Sequence, residues 1–187
     1  MRVVDMVSFI NSLKTNYNSS LIESIIQGYK VIFEMGDRAS PINVTAFHGA
    51  GQEFNEFNEK RAGIWFTSDY DIAVEYADPG YHAKSEALVY KCQITMSNPL
   101  VIDVGGGDFR EIPLEQMAID TGVDEEDISE MTYSTDEIVK WANSKGYDGV
   151  AFHNIIDAPF EGGAAELSTT FCVFSNSQIK ILDREVV

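Results

Sequence analysis

The spacing of apolar residues changes character near Pro41. Before it, Val3, Val4, Met6, Val7, Ile10 and Leu13 recur at helical intervals, as do Leu21, Ile22, Ile25 and Ile26. The pattern predicts two helices separated by "TNYNSS", with Ser19 or Ser20 capping the second, and so an N-terminal helical region over 1–40. After it the apolar runs shorten. "NVTAFHG" and "GIWFTS" read as strands, and "DYDIAVEYA" as a short helix capped by Ser68 or Asp69. "ALVYKCQITMSNPLVIDV" gives two more strands, broken at Ser97-Asn98-Pro99, and Gly105-Gly106-Gly107 reads as a flexible joint. Residues 108–145 predict a helical insertion with amphipathic segments at 113–121, 124–131 and 134–145, the last ended by Gly146. "GVAFHNI", the loop "DAPFEGGAAELS" and one closing strand, "TTFCVFSNSQIKILD", complete a second region over 41–187. Helices, short strands, helices and closing strands in that order make an α+β domain rather than a βαβ alternation.

Composition narrows the function classes. The 187 residues are 44% hydrophobic, enough for one domain with a real core. No apolar run reaches the length of a membrane span, and Asp5, Ser8 and Asn11 interrupt the N-terminus, so neither an anchor nor a signal peptide is expected. Cys92 and Cys172 lie in apolar strand-like runs and read as buried free thiols of a cytoplasmic protein. The net charge of −17 is the one extreme. From Asp108 to Glu137 eleven acidic residues face a single basic one, Arg110. Such a surface repels a phosphate backbone, so direct nucleic-acid binding is disfavoured, and it attracts a protein partner with a basic face. The three histidines have no metal-site spacing, the triple glycine is not followed by Lys-Ser or Lys-Thr, and no nucleophile elbow is present.

Three separated segments carry candidate chemistry. "AFHGAG" holds His48 and Gly49; by itself it reads as a strand ending in a turn. "GIWFT" holds Trp65 and Phe66, with Tyr76 one short helix later, and "TTFCVF" leads from Thr170 to "SQIK". In order and spacing these motifs resemble the ADP-ribosyltransferase superfamily over roughly residues 44–183. The likeness is to the branch of diphtheria-type toxins and poly-ADP-ribose polymerases, in particular the compact transferases of phages and mobile elements, an anti-CRISPR member among them.

The resemblance implies a split core of two sheets packed around a cleft, with N-terminal helices and the acidic helical segment outside. It implies NAD as substrate and transfer of ADP-ribose to a macromolecule, most simply a protein. His48 would bind a ribose hydroxyl. Gly49 would let its backbone approach the nicotinamide carboxamide where a side chain would obstruct it. Trp65 and Tyr76 would sandwich the nicotinamide ring, with Phe66 beside them. Trp65 replaces the family's tyrosine and lacks its hydroxyl. The catalytic glutamate of the family falls at Thr170. Either no carboxylate replaces it, or one comes from the preceding loop, with Glu166, Glu161 and Asp157 as candidates. An inactive acidic mimic and an NAD glycohydrolase toxin are the competing readings. Replacing His48 by alanine is expected to abolish transfer with little change in stability, and the pocket is expected to exclude the acidic insertion. His153, Asn154 and His82 rank below His48.

Overall fold

The computed structural model describes residues 40–59, 62–78, 87–157 and 167–187. The helices expected over 1–40, together with His82, Glu161 and Glu166, lie outside these residues. Strands β1 (Ile42–Ala50), β2 (Ile64–Thr67), β3 (Leu88–Met96), β4 (Pro99–Asp103), β7 (Gly149–Ile156), β8 (Leu167–Val173) and β9 (Ile179–Val186) form one sheet. Their order is β4-β7-β8-β2-β1-β3-β9, and β5 (Ile112–Pro113) and β6 (Thr132–Tyr133) form a separate ribbon. Every pairing in the large sheet is antiparallel except β4 with β7, whose crossover carries the acidic insertion. The domain is α+β, as the order of elements predicts.

The split is a seam within this one sheet. β1 pairs with β3 along its whole length, but meets β2 only at Phe47↔Thr67. Beyond that pair, residues 48–50 diverge from 64–66. Alternation puts Ala46, His48 and Ala50 on one face, in a core with Phe66, Tyr90, Ile94, Met96 and Phe171. Phe47 and Gly49 turn to the other face, where helix α1 (Tyr70–Ala77) packs. Helix α1 starts at Asp69, whose carboxylate accepts from the amides of Asp71 (2.8 Å) and Ile72 (3.3 Å). Ile72, Ala73 and Ala77, spaced along one side, are its buried residues.

The insertion contributes α2 (Glu115–Asp120), a 3₁₀ turn over Ile128–Glu130 and α3 (Thr135–Ser144). A reciprocal capping box fixes the start of α3: the amide of Glu137 donates to the Ser134 hydroxyl and the Ser134 amide to the Glu137 carboxylate. Gly146, at φ 84°, ends it in the left-handed region. Ile138, Val139 and Ala142 pack onto Val150 and Phe152 of β7, and burying Ile138 and Val139 stabilises this contact by roughly 1.5–3 kcal/mol each.

Three local expectations are corrected. The segment 124–131 is no helix but loop and turn ending in the single 3₁₀ turn Ile128–Glu130. The closing segment is two strands, because a turn at Asn176–Gln178 divides it. The Gln178 side chain accepts from the amides of Phe174 and Ser175, and the Ser175 hydroxyl from the amide of Ser177. The chain thereby leaves β8 in the middle of the sheet and returns as β9 at its edge. The triple glycine is a tied turn rather than a flexible joint. Gly105 and Gly106 have φ of 67° and 90°, the Gly106 amide donates to the Asn154 carbonyl at 2.7 Å, and the Gly107 carbonyl accepts from Ile156 at 3.0 Å.

Candidate active site

Where β1 and β2 diverge they open a cleft of about 1080 Å³, just above the roughly 300–1,000 Å³ range of small-molecule sites. His48, Gly49, Trp65, Phe66, Thr67, Tyr76, Asp157 and Thr170 all line it. The topology therefore brings the three sequence motifs to one wall.

His48 spans the seam. Its Nδ1 bonds the Trp65 carbonyl at 2.7 Å, taking the place of a ladder hydrogen bond that the separated backbones no longer make. A carbonyl oxygen only accepts, so Nδ1 carries the proton in this bond. The ring also meets Phe54, Phe57 and Phe66 at centroid distances of 6.0, 5.0 and 5.7 Å. Replacing it by alanine therefore removes packing, so a loss of stability is expected as well. Phe66, only 2% exposed, supports the imidazole from the core side.

Phe54 and Phe57 belong to a loop that sequence reasoning passed over. Phe54 stacks on Tyr90 at 4.3 Å, and its amide donates to the Tyr90 hydroxyl at 2.7 Å. Asn176 exchanges side-chain hydrogen bonds with the amide and carbonyl of Phe57. Its own amide donates to Glu59 at 2.6 Å, which holds that carboxyl below its ordinary range. The paired phenylalanines beside "HGAG" were the only signal available. Their partners, Tyr90 and Asn176, are distant in sequence.

Gly49 lines the cleft and also packs under helix α1. A Cβ there would strike the Ala73 carbonyl and come within 2.7 Å of the Ala77 nitrogen and 2.9 Å of the Tyr76 carbonyl carbon. The missing side chain makes room for helix α1.

Trp65 lies 6.1 Å from Phe152 in a stacked arrangement. Thr67 and Thr170 are register partners, both 4% exposed. The Tyr76 hydroxyl donates to one oxygen of Asp157 at 2.5 Å, and the Thr170 hydroxyl donates to the other at 2.8 Å. Asp157 is 9% exposed. The position at which the resemblance puts the family glutamate is thus a threonine that binds the Asp157 carboxylate.

The insertion is part of this wall, which corrects the expectation that the pocket excludes it. Phe109, Thr135 and Asp136 line the cleft, and the Thr135 amide is fixed to the Phe109 carbonyl at 2.9 Å. Nothing in an acidic amphipathic pattern distinguishes these three from their neighbours. Among the described lining residues Glu56, Asp136 and Asp157 are charged, and none is Lys or Arg.

His153 and Asn154 are not among the lining residues. His153 Nδ1 pairs with the Thr169 hydroxyl at 3.1 Å. Asn154, at φ 53°, donates to Asp103 at 2.9 Å, and this bond with the Gly105 amide lowers the pKa of the Asp103 carboxyl. Their work is to fix the bulge of β7. Among the described residues no group of side chains could hold a metal ion, and no helix is long and apolar enough to cross a membrane.

A family model described as "ADP-ribosyltransferase in polyvalent proteins" matches residues 40–186. No curated protein and no solved structure gives a significant match.

Proposed function

The chain belongs to the ADP-ribosyltransferase family of polyvalent proteins, and on that premise we propose that it is a mono-ADP-ribosyltransferase that modifies a protein target. NAD is the donor and nicotinamide the leaving group. The observation that carries the reading is the cleft at the seam, on which His48, Trp65 and Tyr76 converge.

NAD carries its positive charge on the nicotinamide ring, and breaking the glycosidic bond passes that charge to the ribose. The task is to hold the dinucleotide in a reactive pose and stabilise the developing cation. In this reading Nε2 of His48 accepts a ribose hydroxyl, and Trp65 and Tyr76 stack on the nicotinamide. Phe66 keeps His48 in place and Thr170 acts through its hydroxyl. Glu161 and Glu166 stand in the segment between Asp157 and β8 as further acidic candidates. The exposed carboxylates Asp124, Glu125, Glu126 and Asp127 favour a target with a basic face, encountered in the cytoplasm of a cell, a phage host in the fullest form of the reading.

The test incubates the pure protein with labelled NAD and cell lysate, following nicotinamide release and label on macromolecules together. Release with labelled protein supports the reading. Release without label marks an NAD glycohydrolase, and absence of both marks an inactive acidic binding protein; either result refutes it.

A further inference from the structure

We propose that Asp157 is the catalytic carboxylate, delivered from the end of β7 in place of the glutamate that is absent at Thr170. The proposal rests on the transferase reading above and names the residue that does the work the glutamate would do.

The placement follows from an irregularity in the sheet. Thr170 pairs with Phe152, yet its hydroxyl binds the side chain of Asp157, further along the neighbouring strand. The register shifts between Phe152 and Ile155, where Asn154 adopts its left-handed conformation. An extra residue in one strand bends it, and here the bend returns the end of β7 towards the cleft. Ile155 and Asp157 both reach the lining as a result.

The energetics of the site point the same way. A carboxylate that is 9% exposed is costly to bury as an ion. Two hydroxyl donors, Tyr76 and Thr170, satisfy its oxygens, but among the described residues no Lys, Arg or His forms an ion pair with it. An asparagine could take up similar hydrogen bonds without the charge. The charge has a use if the compensating cation arrives with the substrate. A glycosyl cation formed at the cleft is such a cation. In the reaction the C1′–N bond breaks heterolytically and its electron pair stays with the nitrogen, so nicotinamide leaves neutral. The positive charge left on C1′ and the ring oxygen is offset by Asp157. The acceptor then donates a lone pair to C1′ and loses its proton to bulk solvent. Tyr76 and Thr170 are positioning residues for the carboxylate.

The experiment measures nicotinamide release and NAD affinity for the full chain and its variants. Asp157→Asn keeps the size of the side chain and removes its charge. kcat should fall by roughly 10²–10³-fold, the range for losing one group aimed at transition-state charge, with KM changing by less than about tenfold, because the charge acts mainly on the transition state. The double variant Asp157→Asn with Thr170→Glu restores a carboxylate from β8 and should recover at least about tenfold of the loss in kcat, a small part of what such a group supplies. Asp157→Asn with kcat within about threefold of the parent, far short of that range, overturns the proposal. A lost activity that Thr170→Glu leaves unrecovered also overturns it.

If Asp157→Asn does not fold, Thr170→Val is measured instead, since it keeps the carboxylate and removes one anchor. A kcat roughly tenfold lower in a folded protein supports the proposal, and an unchanged kcat overturns it. Failure of the family reading looks different: the unmodified protein itself would then release no nicotinamide, and the proposal falls with it.

Discussion

Replacing Gly49 by alanine separates two accounts of why a glycine stands there. The new methyl would meet the Ala73 carbonyl head-on and lie 2.7 Å from the Ala77 nitrogen, whereas ordinary Cβ contacts begin at 3.4 Å. All three nearest atoms are backbone of α1, so no side chain can swing away. The helix itself must retreat by roughly 0.7 Å at Ala77, and overpacking of this kind costs about 1–3 kcal/mol. At roughly 2–4 °C per kcal/mol for a chain of this size, the melting temperature should drop by about 2–12 °C. Tyr76 moves with the helix and draws its hydroxyl away from Asp157, now 2.5 Å distant. Misplacement by about an ångström costs on the order of 10²-fold in rate, so nicotinamide release should fall with stability. Thermal melting, NAD binding and nicotinamide release are measured on the same preparation. A variant that melts like the parent but no longer binds NAD would refute the helix-packing account, and place the methyl in the path of the ligand instead.

Three further predictions follow from the local chemistry. Ser134→Ala removes the α3 cap and should cost about 1 kcal/mol near neutral pH. The Ser134 hydroxyl and amide hold the Glu137 carboxyl below its ordinary value of 4.5, so its contribution is present above that pH and is lost as pH falls through the lowered folded-state value. The gap in melting temperature between variant and parent should narrow in acid; a constant gap counts against the capping box. Reversing Asp124, Glu125, Glu126 and Asp127 to lysine should slow target modification at least about tenfold at low salt, less as salt rises. Target-independent nicotinamide release should stay level, since these four are outside the cleft lining, unlike Asp136; an equal loss in both would contradict that separation. Burial pushes the Cys92 thiol up to about 12 and raises Cys172 as well, so neither should react with iodoacetamide at pH 8 until the protein is unfolded. Rapid labelling of the native protein would show that these strands open.

Much of the fold is legible in the order of residues because local patterns dictate local structure. Alternation in "NVTAFHG" and the run in "GIWFTS" mark β1 and β2, Asp69 caps α1, and Gly146 ends α3. The family is equally legible, since His48-Gly49, "GIWFT" and the closing strand keep their order and spacing along the chain. The seam depends on tertiary structure, because a strand's neighbours are chosen by the whole sheet: β1 meets β2 at one pair, and His48 fills the gap. Gly49 is explained by a helix more than twenty residues away, and the Phe54–Phe57 loop by Tyr90 and Asn176. Asp136 enters the cleft because a crossover between parallel strands folds over it. Along the chain Asp157 is one of three loop acids, with nothing to separate it from Glu161 or Glu166. It lies beside Thr170 through a bulge in the neighbouring strand, and a change of register has no signature in composition or spacing.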